Sequence, residues 1–118
     1  MPTTLFVMPL KKGKTNAYKA FLNECLGPKK NAYADLLRRY NLNTIQMWIS
    51  TLDGKDYAIF THEMGDDAAK RLESWASSTH PFDQWFDKNL RDCYDVDNVA
   101  KMPTPPEFLG KLDARKTN

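Results

Sequence analysis

Six side chains in this chain of 118 residues have chemistry beyond packing: His62, His80, Tyr18, Trp48, Asp83 and Trp85. The two histidines are the candidate catalytic residues, because an imidazole changes charge near neutral pH and can give or take a proton there. His62 sits in "FTHEM", at the end of a strand-like run. From a strand end it can serve a ligand held between sheet and helices, or it can be a hydrogen-bonded histidine at a dimer interface. His80 stands in "SSTHPFDQWF", directly before Pro81. That stretch reads as a helix start, with Thr79 or His80 as the cap and Asp83 in the first turn, where a carboxylate meets the positive end of the helix dipole. Capping accounts for these polar residues, and because helix starts also bind anions His80 and Asp83 are kept as site candidates, Asp83 as ligand-binding. Tyr18, Trp48 and Trp85 would give flat walls and polar tips to a sugar or an aromatic ligand. Against that, Tyr18, Trp75 and Trp85 fall on helical stripes that a plain core would also use.

These side chains need a scaffold, and the hydrophobic pattern supplies one. "TTLFVMP", residues 3–9, predicts a first strand. A helix capped by Thr15 or Asn16 follows, with apolar residues at helical spacing from Ala17 to Leu26 and again from Tyr33 to Tyr40. Gly27-Pro28 breaks it, since proline lacks the backbone donor and clashes with the preceding turn. "NTIQMWIS" and "DYAIFTHEM" predict two strands joined at Asp53-Gly54, a tight-turn signal. "GDDAAKRLESWASS" predicts one helix with Ala69, Leu72, Trp75 and Ala76 on its apolar side, and residues 81–93 another. "KMPTPPEFLGKL" is too proline-rich for a central strand but predicts an edge strand around Glu107 to Leu112.

Strand, helix, strand, strand, helix, late strand is the order of an α+β, ferredoxin-like split βαβ fold with one antiparallel sheet. It makes a single domain over residues 1–112 and a frayed tail over 113–118. The strands are apolar on both faces: Leu5 and Val7 oppose Phe6 and Met8, and Tyr57 and Ile59 oppose Ala58 and Phe60. Helices on one side leave the second face bare, so a homodimer is expected, with Phe6 and Phe60 taken as residues whose charge replacement would break it.

Seventeen basic residues against 15 acidic ones, dispersed in short groups, exclude the basic stripe that nucleic acid requires. No run is long and apolar enough for a membrane span. Cys25 and Cys93 lie far apart with no second metal-ligand type nearby, so no metal or cofactor is expected, and a reduced, cytoplasmic setting is.

"FVM" in the first strand, Tyr18, an aromatic-containing second strand and "WASSTHPFDQWF" together resemble the dimeric α+β-barrel superfamily. Within it they are most similar to small mutarotases of the L-rhamnose type, with antibiotic-biosynthesis-type monooxygenases nearby. The resemblance implies a sugar pocket lined by Tyr18 and Trp85. The histidine that donates the proton in the mutarotases falls at or near Leu22 here, and leucine moves no proton. Three functions therefore stand: a small-molecule-binding protein of sugar-isomerase type, a cofactor-independent monooxygenase acting on an aromatic compound, and a non-enzymatic dimer with a filled core. A hydrophilic pocket with a histidine favours the first and a dry aromatic one the second.

Overall fold

A computed structural model describes residues 3–96 and 104–117. Three strands, β1 (Thr3–Pro9), β2 (Leu42–Leu52) and β3 (Lys55–Met64), form one antiparallel sheet in the order β1-β3-β2. The β2–β3 hairpin closes on Asp53 and Gly54, both at positive φ (52° and 74°), the backbone that a two-residue turn between twisted strands demands. Register fixes the faces. Phe6 pairs with Phe60 and Met47 with Phe60, so these side chains share one face with Met8, Ala58, Ile45 and His62.

That face carries the helices. α1 (Thr15–Leu26) and α2 (Lys30–Arg39) are separate helices, broken at Gly27-Pro28 as the sequence predicts. The expected side-chain cap on α1 is not made: Lys14 holds the cap position, and the Thr15 hydroxyl donates instead to Asp56 at 2.6 Å, tying the helix start to β3. Tyr18, Phe21 and Cys25 on α1 and Tyr33 and Leu36 on α2 are buried, and past the Tyr40 cap of α2 comes Asn41, which takes a positive φ of 55°. Gly65 lies so close beneath Asn41 that a Cβ there would overlap its side-chain amide.

The single helix expected over 65–78 is shorter and divided. α3 covers only Ala68–Leu72, and a 3-10 turn spans Trp75–Ser77. Serines explain the break: the Ser74 hydroxyl bonds the Arg71 carbonyl and the Ser77 hydroxyl the Ser74 carbonyl, competing for acceptors an α-helix would use. Leu72 and Trp75 still reach the core, but Ala68 is the buried alanine, and Ala69 and Ala76 are exposed. α4 (Pro81–Cys93) begins with proline at its first position and has the bounds that the sequence predicts.

The other sheet face, with Leu5, Val7, Trp48, Tyr57 and Ile59, carries no helix among the described residues. Phe6 and Phe60 are therefore on the wrong side for a sheet-to-sheet interface: their rings stack at 5.1 Å beneath the helices. No strand forms around Glu107 to Leu112 either. Residues 104–112 are irregular and exposed, with Pro105 and Pro106 removing two backbone donors. Part of the expected late segment, 97–103, lies outside the described residues. At the tail Asp113 caps a 3-10 turn over Ala114–Lys116 through the Arg115 backbone N–H. The described fold is thus α+β with a three-stranded sheet covered on one side, and no helix among the described residues is long and apolar enough to cross a membrane.

Candidate functional site

Between the covered sheet face and the helices lies a cavity of about 130 Å³. Phe6, Ile45, Met47, Phe60 and His62 form its floor; Tyr18 and Leu22 of α1, Leu36 and Leu37 of α2, and Phe86 and Leu90 of α4 form its walls, with Trp75 and Tyr94 between them. Hydrocarbon and ring faces dominate, because every strand contributes its inward, apolar set.

His62 is the exception, and a fault in the sheet positions it. The β2–β3 register shifts between Leu42 and Ile45, a bulge that takes the Thr44 carbonyl out of the ladder. His62 Nδ1–H donates to that carbonyl at 2.9 Å. A carbonyl can only accept, so the proton is fixed on Nδ1 and Nε2 keeps its lone pair. Nε2 has no partner among the described residues. The ring is 8% exposed and wedged edge-on against Phe6 and Phe60. Burial lowers its pKa below the usual histidine value, and the Thr44 bond offsets only part of that. His62 is thus a neutral imidazole presenting a base.

The remaining polar groups on the walls are mostly spent. The Tyr18 and Tyr94 hydroxyls bond each other at 3.0 Å, Tyr40 donates to Asp83 at 3.0 Å, and the Trp75 indole N–H donates to Asp87 at 2.9 Å. Burial pushes the Tyr18 phenol up to about 12 and raises those of Tyr33 and Tyr94, so all three stay protonated donors. Only Tyr33, the His62 Nε2, and the one hydrogen left over from the Tyr18–Tyr94 pair remain for a guest.

His80 and Asp83 belong to a different construction. His80 caps α4, its Nδ1 accepting from the Phe82 N–H at 3.2 Å. Asp83, 1% exposed, receives the Arg39 guanidinium in a fork at 2.6 and 2.8 Å, the Ser78 hydroxyl at 2.7 Å and the Tyr40 hydroxyl. Burial alone would raise this carboxyl, but those donors outweigh it and hold it below the usual carboxylate range. Both of its oxygens accept from protein donors, so it ties α2 to α4.

The tryptophans also separate. Trp48 points from the uncovered sheet face and is 52% exposed. Trp85 packs on Phe21 and Phe82, with the Lys29 ammonium 4.8 Å from its ring centroid, and is not among the residues lining the cavity. The indole that lines it is Trp75, assigned to the core from its stripe position; stripe position gives the buried side and says nothing about whether that side is filled. Tyr33, Tyr40 and Tyr94 were likewise unmarked as site residues, and only Tyr33 and Tyr40 sat on an apolar stripe. Cys25 is fully buried with its thiol pushed up to about 12 by that burial, which makes it a poor nucleophile. No cluster of His, Cys, Asp and Glu among the described residues could hold a metal ion. The chain matches no protein-family model and no curated protein.

Proposed function

We propose that this protein binds a small molecule with a single aromatic ring and a hydroxyl group, in the space between sheet and helices, with His62 Nε2 accepting a hydrogen bond from the hydroxyl. The observation that carries the reading is the pairing of one free base with an otherwise apolar lining. Size supports it: an apolar cavity of about 150 Å³ elsewhere accommodates benzene, and this one is about 130 Å³. A sugar fits less well. Each pyranose hydroxyl buried without a partner costs about 1–3 kcal/mol, and most wall donors are already engaged. Leu22, where the resemblance to mutarotases wants a proton donor, does line the cavity and adds only hydrocarbon.

Within the dimeric α+β-barrel reading, an acceptor beside a phenol O–H is an arrangement that would orient the ring in a cofactor-independent oxygenase of aromatic compounds, with the lowered pKa of His62 leaving the proton on the phenol. A homodimer burying Leu5, Val7, Trp48 and Ile59 completes this proposal. Titrating phenol and L-rhamnose into the protein, followed by chemical shifts of the Phe6, Phe60 and His62 rings, tests it. Phenol should shift all three and rhamnose none. Rhamnose binding with accelerated anomer exchange would reverse the assignment in favour of the sugar isomerase.

A further inference from the structure

We propose that the cavity's guest is a neutral hydroxyaryl carbonyl compound: its hydroxyl donates to His62 Nε2, and its carbonyl oxygen, para on the ring, accepts from Tyr33 and the Tyr18–Tyr94 pair. The inference rests on the aromatic-ligand reading above and specifies the second functional group.

The acceptor at one end is His62 Nε2; the donors are a group of three phenols. The Tyr18 and Tyr94 hydroxyls are 3.0 Å apart, and one of them donates to the other. Two phenols carry two hydrogens, so one hydrogen is left to give. Tyr33 adds another. Its ring is 5% exposed and packs 5.2 Å from Phe86, and its hydroxyl bonds to none of the described residues. No fully buried side-chain polar atom among the described residues lacks a partner. An unbonded Tyr33 hydroxyl must therefore open onto accessible space, and its ring lines the cavity along with Tyr18 and Tyr94. Burial is the main cause of the raised pKa of Tyr33 and of Tyr94, but neighbouring phenols add to it, Tyr18 acting on Tyr33 and Tyr33 on Tyr94. The three lie in one group and remain donors.

The sheet sets the two ends apart. His62 pairs with Thr4 near the start of β1, whereas Tyr94 is bridged to Leu10, just past its end. Six residues of strand at about 3.3 Å each separate these backbone positions by roughly 20 Å, and both side chains reach the cavity between them. Two apolar rungs lie in that interval: Phe6, Phe60 and Met47, then Met8, Ala58 and Ile49. A guest that satisfies both ends needs a donor, a flat apolar body and an acceptor in line, which a para-substituted ring supplies. Charge does not suit the place. No lysine or arginine lines the cavity, so a carboxylate there would be buried without a cation.

Calorimetric titration of the full chain at pH 7 with phenol, para-hydroxyacetophenone, ortho-hydroxyacetophenone and para-hydroxybenzoate tests the assignment. The para ketone should bind about tenfold tighter than phenol. The ortho isomer has the same atoms, but its hydroxyl bonds its own carbonyl, so it should bind no tighter than phenol. Para-hydroxybenzoate should not bind measurably. Tyr33→Phe, and Tyr18→Phe combined with Tyr94→Phe, should each reduce the para ketone's advantage and leave phenol affinity unchanged, with thermal melts confirming the fold. Equal binding of the two isomers would overturn the carbonyl assignment, and that comparison needs no variant. So would an advantage that survives both sets of tyrosine variants, or tight binding of the benzoate. In each of those cases phenol binding would leave the aromatic-ligand reading standing. Absence of phenol binding would overturn that reading and this one together.

Discussion

His62 and His80 occupy opposite kinds of corner. His62 is buried at a bulge in a sheet and lines the apolar cavity, one nitrogen fixed on the Thr44 carbonyl and the other without a partner among the described residues. His80 is largely exposed at a helix start, its Nδ1 used up as a cap. Beside it Asp83, more buried than either histidine, is surrounded by four donating groups from Arg39, Ser78 and Tyr40. Burial therefore does not distinguish site from scaffold here. Unspent hydrogen-bonding capacity does: the α4 corner has closed its polar accounts and the β3 corner has one left open.

The largest effect should come from the closed corner. Asp83→Ala leaves the Arg39 fork and two hydroxyls without their acceptor, and urea unfolding should show a loss of about 3 kcal/mol, at the low end for a broken buried pair because Arg39 is partly solvated. Ligand binding should survive in whatever fraction stays folded. If Asp83→Ala is as stable as the parent, the corner is not the anchor described. Acid gives a second view of the same contact. The Asp83 carboxyl titrates below its ordinary 3.8, so its contribution is complete above that pH and is lost as the pH falls through the folded value. Stability against pH should therefore show an acid limb that Asp83→Asn lacks.

At the open corner the order of effects reverses. His62→Leu should weaken phenol binding by about tenfold or more, measured calorimetrically, while stability changes by less than about 1 kcal/mol, because the Thr44 carbonyl it abandons is at an exposed residue. The pH dependence has a definite sign. His62 titrates below 6.5, so on acidification the unfolded chain takes the proton first, and stability present above about pH 6.5 is lost as pH drops through the folded value. The stability difference between the parent and His62→Leu should shift against the parent from pH 7 to pH 5. A difference flat across that range would mean the imidazole is not buried neutral. The smallest effect belongs to His80→Ala: about 1 kcal/mol for a lost cap, largely restored by His80→Asn, with phenol affinity unchanged. A drop in affinity there would merge the two corners into one site.

Several parts of this architecture were legible as local chemistry. Asp53-Gly54 needed positive φ at two successive residues, Gly27-Pro28 could not continue a helix, and Pro81 after a capping residue opened α4; each is decided within a few residues, so the sequence alone determines it. Alternation along β1, β2 and β3 likewise sorted the two sheet faces, with His62 beside Ala58 and Phe60. Which face the helices would cover was not in that pattern, because both are apolar, and Phe6 and Phe60 were assigned to the wrong one. Asp83 read as a dipole partner since Arg39, its chief partner, is 44 residues away. Trp85 and Trp75 shared the same helical spacing, and only the packing of α1 and α4 turned one away from the cavity and the other into its wall. The strand expected at Glu107 to Leu112 has strand-like composition but pairs with no strand among the described residues. Pairing is a relation between segments, so composition proposes a strand and only a tertiary or quaternary partner completes it.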